Sequence, residues 1–149
     1  DAYDLATRMG LKKTAHAGES EGPEKIWEAL DYLGPDRIGH GTSAGQDPEL
    51  IKRLAADGVM LEVCLSSNVQ TGAIDKIENH PLPRFLDAGV KVAICTDNPT
   101  VSSTSLSREF ELAMDAFGFS ENDVRKLAQM SCEGTFLSDG CHCKFPEKS

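Results

Sequence analysis

His16, Glu19, His40, Asp97 and Asn98 are the residues whose types and spacing could do chemistry together. His16 and Asp97 bring an imidazole nitrogen and a carboxylate oxygen, the donor types that a catalytic zinc takes. Glu19 follows His16 in the stretch His-Ala-Gly-Glu, and Gly18 lets the backbone turn so that the carboxyl folds back toward a metal. A carboxyl held there can shuttle protons. His40 stands between Gly39 and Gly41, which permits close approach of backbone or ligand. A catalytic zinc takes about three protein ligands plus water, so His16 and Asp97 by themselves form an incomplete metal site.

These residues need elements to bring them together. Four short apolar runs read as strands: residues 13–17, 37–40, 59–65 and 90–96. The last two are continuous enough to be buried on both faces, as in a parallel sheet. Helical spacing fills the intervals. It predicts helices over residues 1–9, over 23–33 with Pro23 in the first turn and Gly34-Pro35 as the stop, and from Asp47 as N-cap to Gly58. Further helices are expected over 83–88, 105–117 and 121–137, the last with Ser120 as N-cap. The order α-βα-βα-βα-βαα predicts an α/β fold with a parallel sheet, consistent with part of a barrel. The polar candidates then fall at strand ends: His16 and Glu19 at the first, His40 at the second, Ser66, Ser67 and Asn68 at the third, Asp97 and Asn98 at the fourth. One histidine at a strand end is commonly structural, and Asp-Asn-Pro is commonly a turn. Four strand ends all delivering polar groups to the face where parallel barrels keep their active sites is a joint pattern.

Composition narrows the class. The 149 residues suggest one domain, and 40% apolar with 26% charged residues is ordinary globular usage. The balance of 15 basic against 24 acidic residues, a net of −9, repels a phosphate backbone and argues against nucleic-acid binding. No run approaches the roughly 20 apolar residues of a membrane span, and residues 1–10 do not read as a signal peptide. The five cysteines cannot all pair within the chain. Cys64 and Cys95 sit in apolar runs and are expected to be buried and reduced, which places the protein in a reducing, cytoplasmic setting. Cys141-His142-Cys143 lacks the second ligand pair of a structural zinc site, and residues 139–149 are read as a tail after a domain of residues 1–138.

His16-Ala-Gly-Glu19, Arg37-Ile-Gly-His40-Gly41, Ser66-Ser67-Asn68, His80-Pro81 and Thr96-Asp97-Asn98-Pro99 follow one another as they do in adenosine deaminases. The chain, from Asp1 to about Leu137, resembles the C-terminal half of that family's (β/α)8 barrel, with about four parallel strands and C-terminal helices. The resemblance implies that His16 and Asp97 ligate one zinc ion. It implies that Glu19 gives a proton to purine N1, that His40 orients and helps deprotonate the attacking water, that Asn98 contacts purine N7, and that Gly18 lets the substrate lie close. The implied reaction is hydrolytic removal of the 6-amino group, giving inosine and ammonia from adenosine. Asn98 stands where some members carry a second aspartate. The family's two other zinc histidines lie in a His-x-His motif on the first strand, and no such motif occurs here. His80 and His142 are not read as substitutes for them. An N-terminal barrel half is therefore the expected partner. Two alternatives stay open: adenine, AMP or a modified purine nucleotide as the substrate, and a non-enzymatic half-barrel that acts by pairing with a partner half or with itself through its open edges.

Overall fold

Residues 2–137 are described by the computed structural model; Asp1 and residues 138–149, and with them the expected tail and its Cys141, His142 and Cys143, lie outside the described residues. The elements run α1 (Ala2–Arg8), β1 (Thr14–Ala17), α2 (Pro23–Glu28), β2 (Arg37–His40), α3 (Pro48–Asp57), β3 (Met60–Val63), α4 (Leu65–Gln70), α5 (Leu82–Asp87), β4 (Val92–Ile94), α6 (Leu106–Phe117) and α7 (Glu121–Glu133). The four strands pair in parallel in the order β1-β2-β3-β4. Sequential parallel strands separated by helices are the arrangement of half a (β/α)8 barrel.

The sheet register sorts the side chains. Ala15, Ile38, Leu61 and Val92 lie in one row and are buried among the helices with Ile26, Leu50, Leu54 and Phe85. Full burial of a side chain such as Ile38 or Leu61 contributes about 2 kcal/mol each. The neighbouring rows hold Thr14, Arg37 and Met60, then His16, Gly39, Glu62 and Ala93. Arg37 Nε lies 3.0 Å from Glu62 Oε1 without the angle for a hydrogen bond, and Thr14 Oγ1 donates to Glu62 Oε2 at 3.1 Å. The guanidinium also covers the Phe136 ring, 3.6 Å from its centroid. This inner face is thus polar, and Thr14 and His16 are exposed on it.

Local chemistry explains the helix boundaries. The Asp47 carboxylate accepts from the backbone N–H groups of Glu49 and Leu50, at 2.9 and 3.1 Å, with Pro48 in the first turn and left-handed Gly58 at the end. Ser105 caps α6, and Ser120 with Asp123 forms a reciprocal capping box on α7.

The structure departs from the sequence reading at several elements. The helix expected over 23–33 is α2 continued by a widened π-type stretch, Ala29–Leu33, closed by Gly34. The runs 59–65 and 90–96 are strand only over Met60–Val63 and Val92–Ile94. The first stops early because the chain turns at Cys64 into α4, where the Asn68 N–H donates to the Cys64 carbonyl at 2.8 Å. Helix α7 ends at Glu133 rather than 137, with Gly134 at its C-cap, where the Met60 side chain leaves no room for a Cβ. Cys64 is buried as expected, but Cys95 is only half-buried; both are free thiols. Burial pushes the Cys64 thiol well up, and burial followed by the Glu62 carboxylate pushes Cys95 up to about 11. Among the described residues no helix is long and apolar enough to cross a membrane.

Glu109, which the sequence did not single out, is fully buried on α6. Its carboxylate accepts from the Ser66 N–H at 3.2 Å and from Thr104 Oγ1 at 2.7 Å, tying the start of α4 to the loop before α6. Glu109→Ala is expected to lower unfolding free energy by about 1–2 kcal/mol, since it leaves two half-buried donors without their acceptor. Urea denaturation of the full-length protein checks this; a loss below about 0.5 kcal/mol would remove Glu109 from the framework of the site.

Candidate active site

The chain turns sharply as it leaves three of the four strands. Gly18 after β1, His40 and Gly41 at the end of β2, and Asp97 after β4 all have positive φ, at 72°, 63°, 65° and 54°. For His40 and Asp97 this is uncommon backbone, held by its surroundings. The Gly41 N–H bonds the Ala17 carbonyl at 3.0 Å and the Ser43 N–H bonds the Gly18 carbonyl at 2.8 Å, which locks the first two turns together.

The glycines are explained by neighbouring protein atoms. A Cβ on Gly18 would strike Ile26 and come within 2.7 Å of Ser43 Oγ, so this residue is glycine for packing as well as for its φ. A Cβ on Gly39 would lie 3.0 Å from the His16 ring, its neighbour in register. A Cβ on Gly41 would come within 2.6 Å of Leu61. The close approach expected at Gly39 and Gly41 is therefore made by His16 and Leu61.

The turns bring His16, Glu19 and His40 together. The His16 and His40 rings are 5.4 Å apart, and His40 Nε2 is 3.5 Å from Glu19 Oε2. His40 is 2% exposed. Burial lowers its pKa, partly opposed by the Glu19 carboxylate; His16 lowers it further, and Asp97 and Glu62 pull the other way. An open recess of about 390 Å³ lies beside Glu19, bordered also by Ser43, Gln46 and Thr71.

Asp97 stands at the opposite edge of the sheet on the same strand-end face. Ser67 Oγ donates to its Oδ2 at 2.8 Å, which orients the carboxylate and leaves Oδ1 for a cation. Asn98 accepts the Val101 N–H on Oδ1 at 3.0 Å, so its NH2 is the end turned to a donor role. Ser66, Ser67 and Asn68 lie in the first turns of α4 and not on a strand-end loop.

Behind His40 runs a buried chain whose use the sequence did not disclose. Asn68 Nδ2 is 3.0 Å from His40 Nδ1, Asn68 Oδ1 is 3.3 Å from His80 Nε2, and the Leu82 N–H donates to His80 Nδ1 at 3.0 Å. His80 is 3% exposed, and burial, with a smaller push from His40, lowers its pKa to about 4. With both ring nitrogens engaged, His80 is not available as a metal ligand. The Ser-Ser-Asn and His-Pro segments were visible in the sequence, but nothing in their spacing shows that they meet across His40.

Among the described residues no three His, Cys, Asp or Glu side chains converge to hold a metal ion. The donors present nonetheless suit zinc: an imidazole, and a carboxylate already aligned by a hydroxyl.

A parallel half-barrel with histidines and carboxylates gathered at the carboxyl ends of its strands has the site arrangement of (β/α)8-barrel enzymes. Within that class the chain belongs to the adenosine deaminase family, whose model matches residues 1–147. It is 44% identical over 138 residues to an adenine deaminase of Rhizobium leguminosarum bv. trifolii, covering 93% of this chain and 43% of the relative. It is 42% identical over 139 residues to an adenosine deaminase of Vibrio parahaemolyticus, covering 93% and 42%. Among solved structures, adenine deaminase from Arthrobacter aurescens superposes with a TM-score of 0.86 at 38% identity, over 92% of this chain and 42% of that one. An amidohydrolase from Burkholderia ambifaria with bound Zn superposes at 0.82 and 30% identity, over 93% and 39%. The chain thus spans about two fifths of the length of the relatives it matches.

Proposed function

We propose that the protein containing this chain removes the 6-amino group of adenosine by hydrolysis, giving inosine and ammonia, with this chain as the C-terminal half of its barrel. The observation that carries the proposal is the meeting of Glu19, His40 and His16 at one strand-end face, with Asp97 aligned by Ser67 on that same face.

His16 and Asp97 would hold a zinc ion, with two further histidines supplied by the N-terminal half. When bound, zinc makes water a nucleophile at neutral pH. The chain's own residues do the rest. Glu19 presents a carboxyl to purine N1, and its proton draws electrons away from C6. His40, buried and fixed, orients the water that attacks C6. The Asn98 NH2 donates to N7, and the recess beside Glu19 is of a size for a small ligand. Gly18 is the position the family resemblance gives to close approach of the substrate; in this chain a Cβ there would meet Ile26 and Ser43.

Adenine is the second reading, favoured by the name of the Rhizobium relative. Every residue assigned here addresses the purine ring, and none of the assigned roles distinguishes adenosine from adenine at the sugar. Ammonia release by the full-length protein from adenosine, adenine and AMP, with kcat/KM for each, tests the proposal. Highest efficiency on adenosine supports it; highest efficiency on adenine replaces it with the second reading; no release from any 6-aminopurine overturns both.

A further inference from the structure

We propose that Asn68 and His80 are positioning residues that hold His40 in the tautomer whose Nε2 carries hydrogen, so that His40 meets the reacting water as a hydrogen-bond donor. This rests on the deaminase reading above and assigns parts within it.

The direction of the hydrogen-bond chain is set by a group with no choice. The Leu82 backbone N–H can only donate, and it points at His80 Nδ1 from 3.0 Å. His80 Nδ1 is then the bare nitrogen, and a neutral ring must carry its hydrogen on Nε2. That hydrogen faces Asn68 at 3.3 Å, and the atom able to receive it is the amide oxygen. With its oxygen so engaged, Asn68 turns its NH2 to His40 Nδ1 at 3.0 Å. His40 Nδ1 is an acceptor in turn, and its hydrogen sits on Nε2, facing Glu19.

Burial makes the chain binding. Asn68, His40 and His80 are 0%, 2% and 3% exposed, so water cannot substitute for a lost partner. The Phe85 ring stands edge-on to His80, with centroids 6.5 Å apart, and fixes its plane.

The consequence revises the part expected of His40. A neutral imidazole with hydrogen on Nε2 has no lone pair there to take a proton from water. It can hold the water oxygen and stabilise negative charge developing on it. Proton transfer then falls to a carboxylate, and Glu19 is the one beside His40 Nε2. It gives its proton to N1, receives one from the water as the oxygen bonds to C6, passes that proton to the amine, and takes up the remaining hydrogen of the C6 hydroxyl as the amine leaves, which restores its starting carboxyl. The C6–N bond breaks, N1 keeps the proton it received, and the product is the 6-oxopurine plus ammonia.

The experiment uses the full-length zinc-loaded protein with 15N-labelled histidine. The His40 Nδ1 resonance is expected in the range of an unprotonated ring nitrogen and Nε2 in the protonated range. Asn68→Asp keeps the shape but replaces the donor with an acceptor, which moves the His40 hydrogen to Nδ1. We expect kcat to fall by about 100-fold or more, with KM and zinc content unchanged and the two ring-nitrogen shifts exchanged. Wild-type kcat in Asn68→Asp with exchanged shifts overturns the proposal. So does an unprotonated Nε2 in the unmodified protein, a measurement that decides the matter even if the variant does not fold. Absence of ammonia release by the unmodified protein sinks the deaminase reading instead and leaves the tautomer result standing on its own.

Discussion

Glu19→Gln in the full-length protein is expected to cut turnover of adenosine by about 10³–10⁴-fold while zinc stays bound. Glutamine keeps the length, planarity and hydrogen-bonding reach of the side chain. It cannot release a proton to N1 or take one from water. Nothing else need change, because the assigned ligands His16 and Asp97 are untouched and Ser67 still aligns Asp97. Glu19 is in place for the role: its Oε2 lies 3.5 Å from His40 Nε2, and its side chain is 23% exposed, open to a ligand yet set in the site. The informative pair of measurements is kcat and metal content on the same sample. Near-normal turnover would take the proton-transfer role away from Glu19. Loss of zinc together with activity would mean that its carboxylate serves the metal instead.

The second large effect is expected from these 149 residues expressed by themselves: no measurable deamination of adenosine, and zinc well below one ion per chain. Among the described residues no triad of His, Cys, Asp or Glu converges on a metal, and about three protein ligands are needed for a catalytic zinc. His80 does not make up the number, since the Leu82 N–H and Asn68 occupy both of its ring nitrogens. His16 and Asp97 also belong to the two edges of the sheet, so closing the barrel is what completes the site. Supplying the remaining part of the barrel as a separate chain is expected to restore both stoichiometric zinc and turnover. Ammonia release with and without added zinc, beside a metal count, reads the outcome. Robust zinc-dependent turnover by the isolated chain would overturn this expectation.

An open face of apolar side chains would make a half-barrel prone to aggregation. The inner face instead carries Thr14, His16, Arg37 and Glu62, and the ion pair and hydroxyl contact link three strands across it. Self-association of the isolated chain would then come from the unpaired edges of β1 and β4 more than from the face.

Much was legible in the chain. Apolar runs bounded by glycine, proline and capping residues mark the strands and most helices, because backbone preference and capping act over a few residues. Asp47, Ser105 and Ser120 start helices where their side chains can reach the next free N–H groups. The order of strand and helix implied a parallel sheet, and a parallel sheet puts His16, His40 and Asp97 at one end. Helix α4 was hidden, since Ser-Ser-Asn is a sequence better suited to turns and caps than to helix interiors. Glu109 was hidden as well: its burial is repaid by a backbone N–H and a hydroxyl brought to it from other parts of the chain. Residue types and local spacing therefore determined the elements, their order and the chemistry of the strand ends. Which hydrogen His40 carries, what stands behind Asp97, and which glycines yield to which side chains were decided by tertiary structure alone. Those depend on contacts between residues as far apart in the chain as His40 and Asn68, or Ser67 and Asp97, and a hydrogen bond's direction is set only when both of its partners are in place.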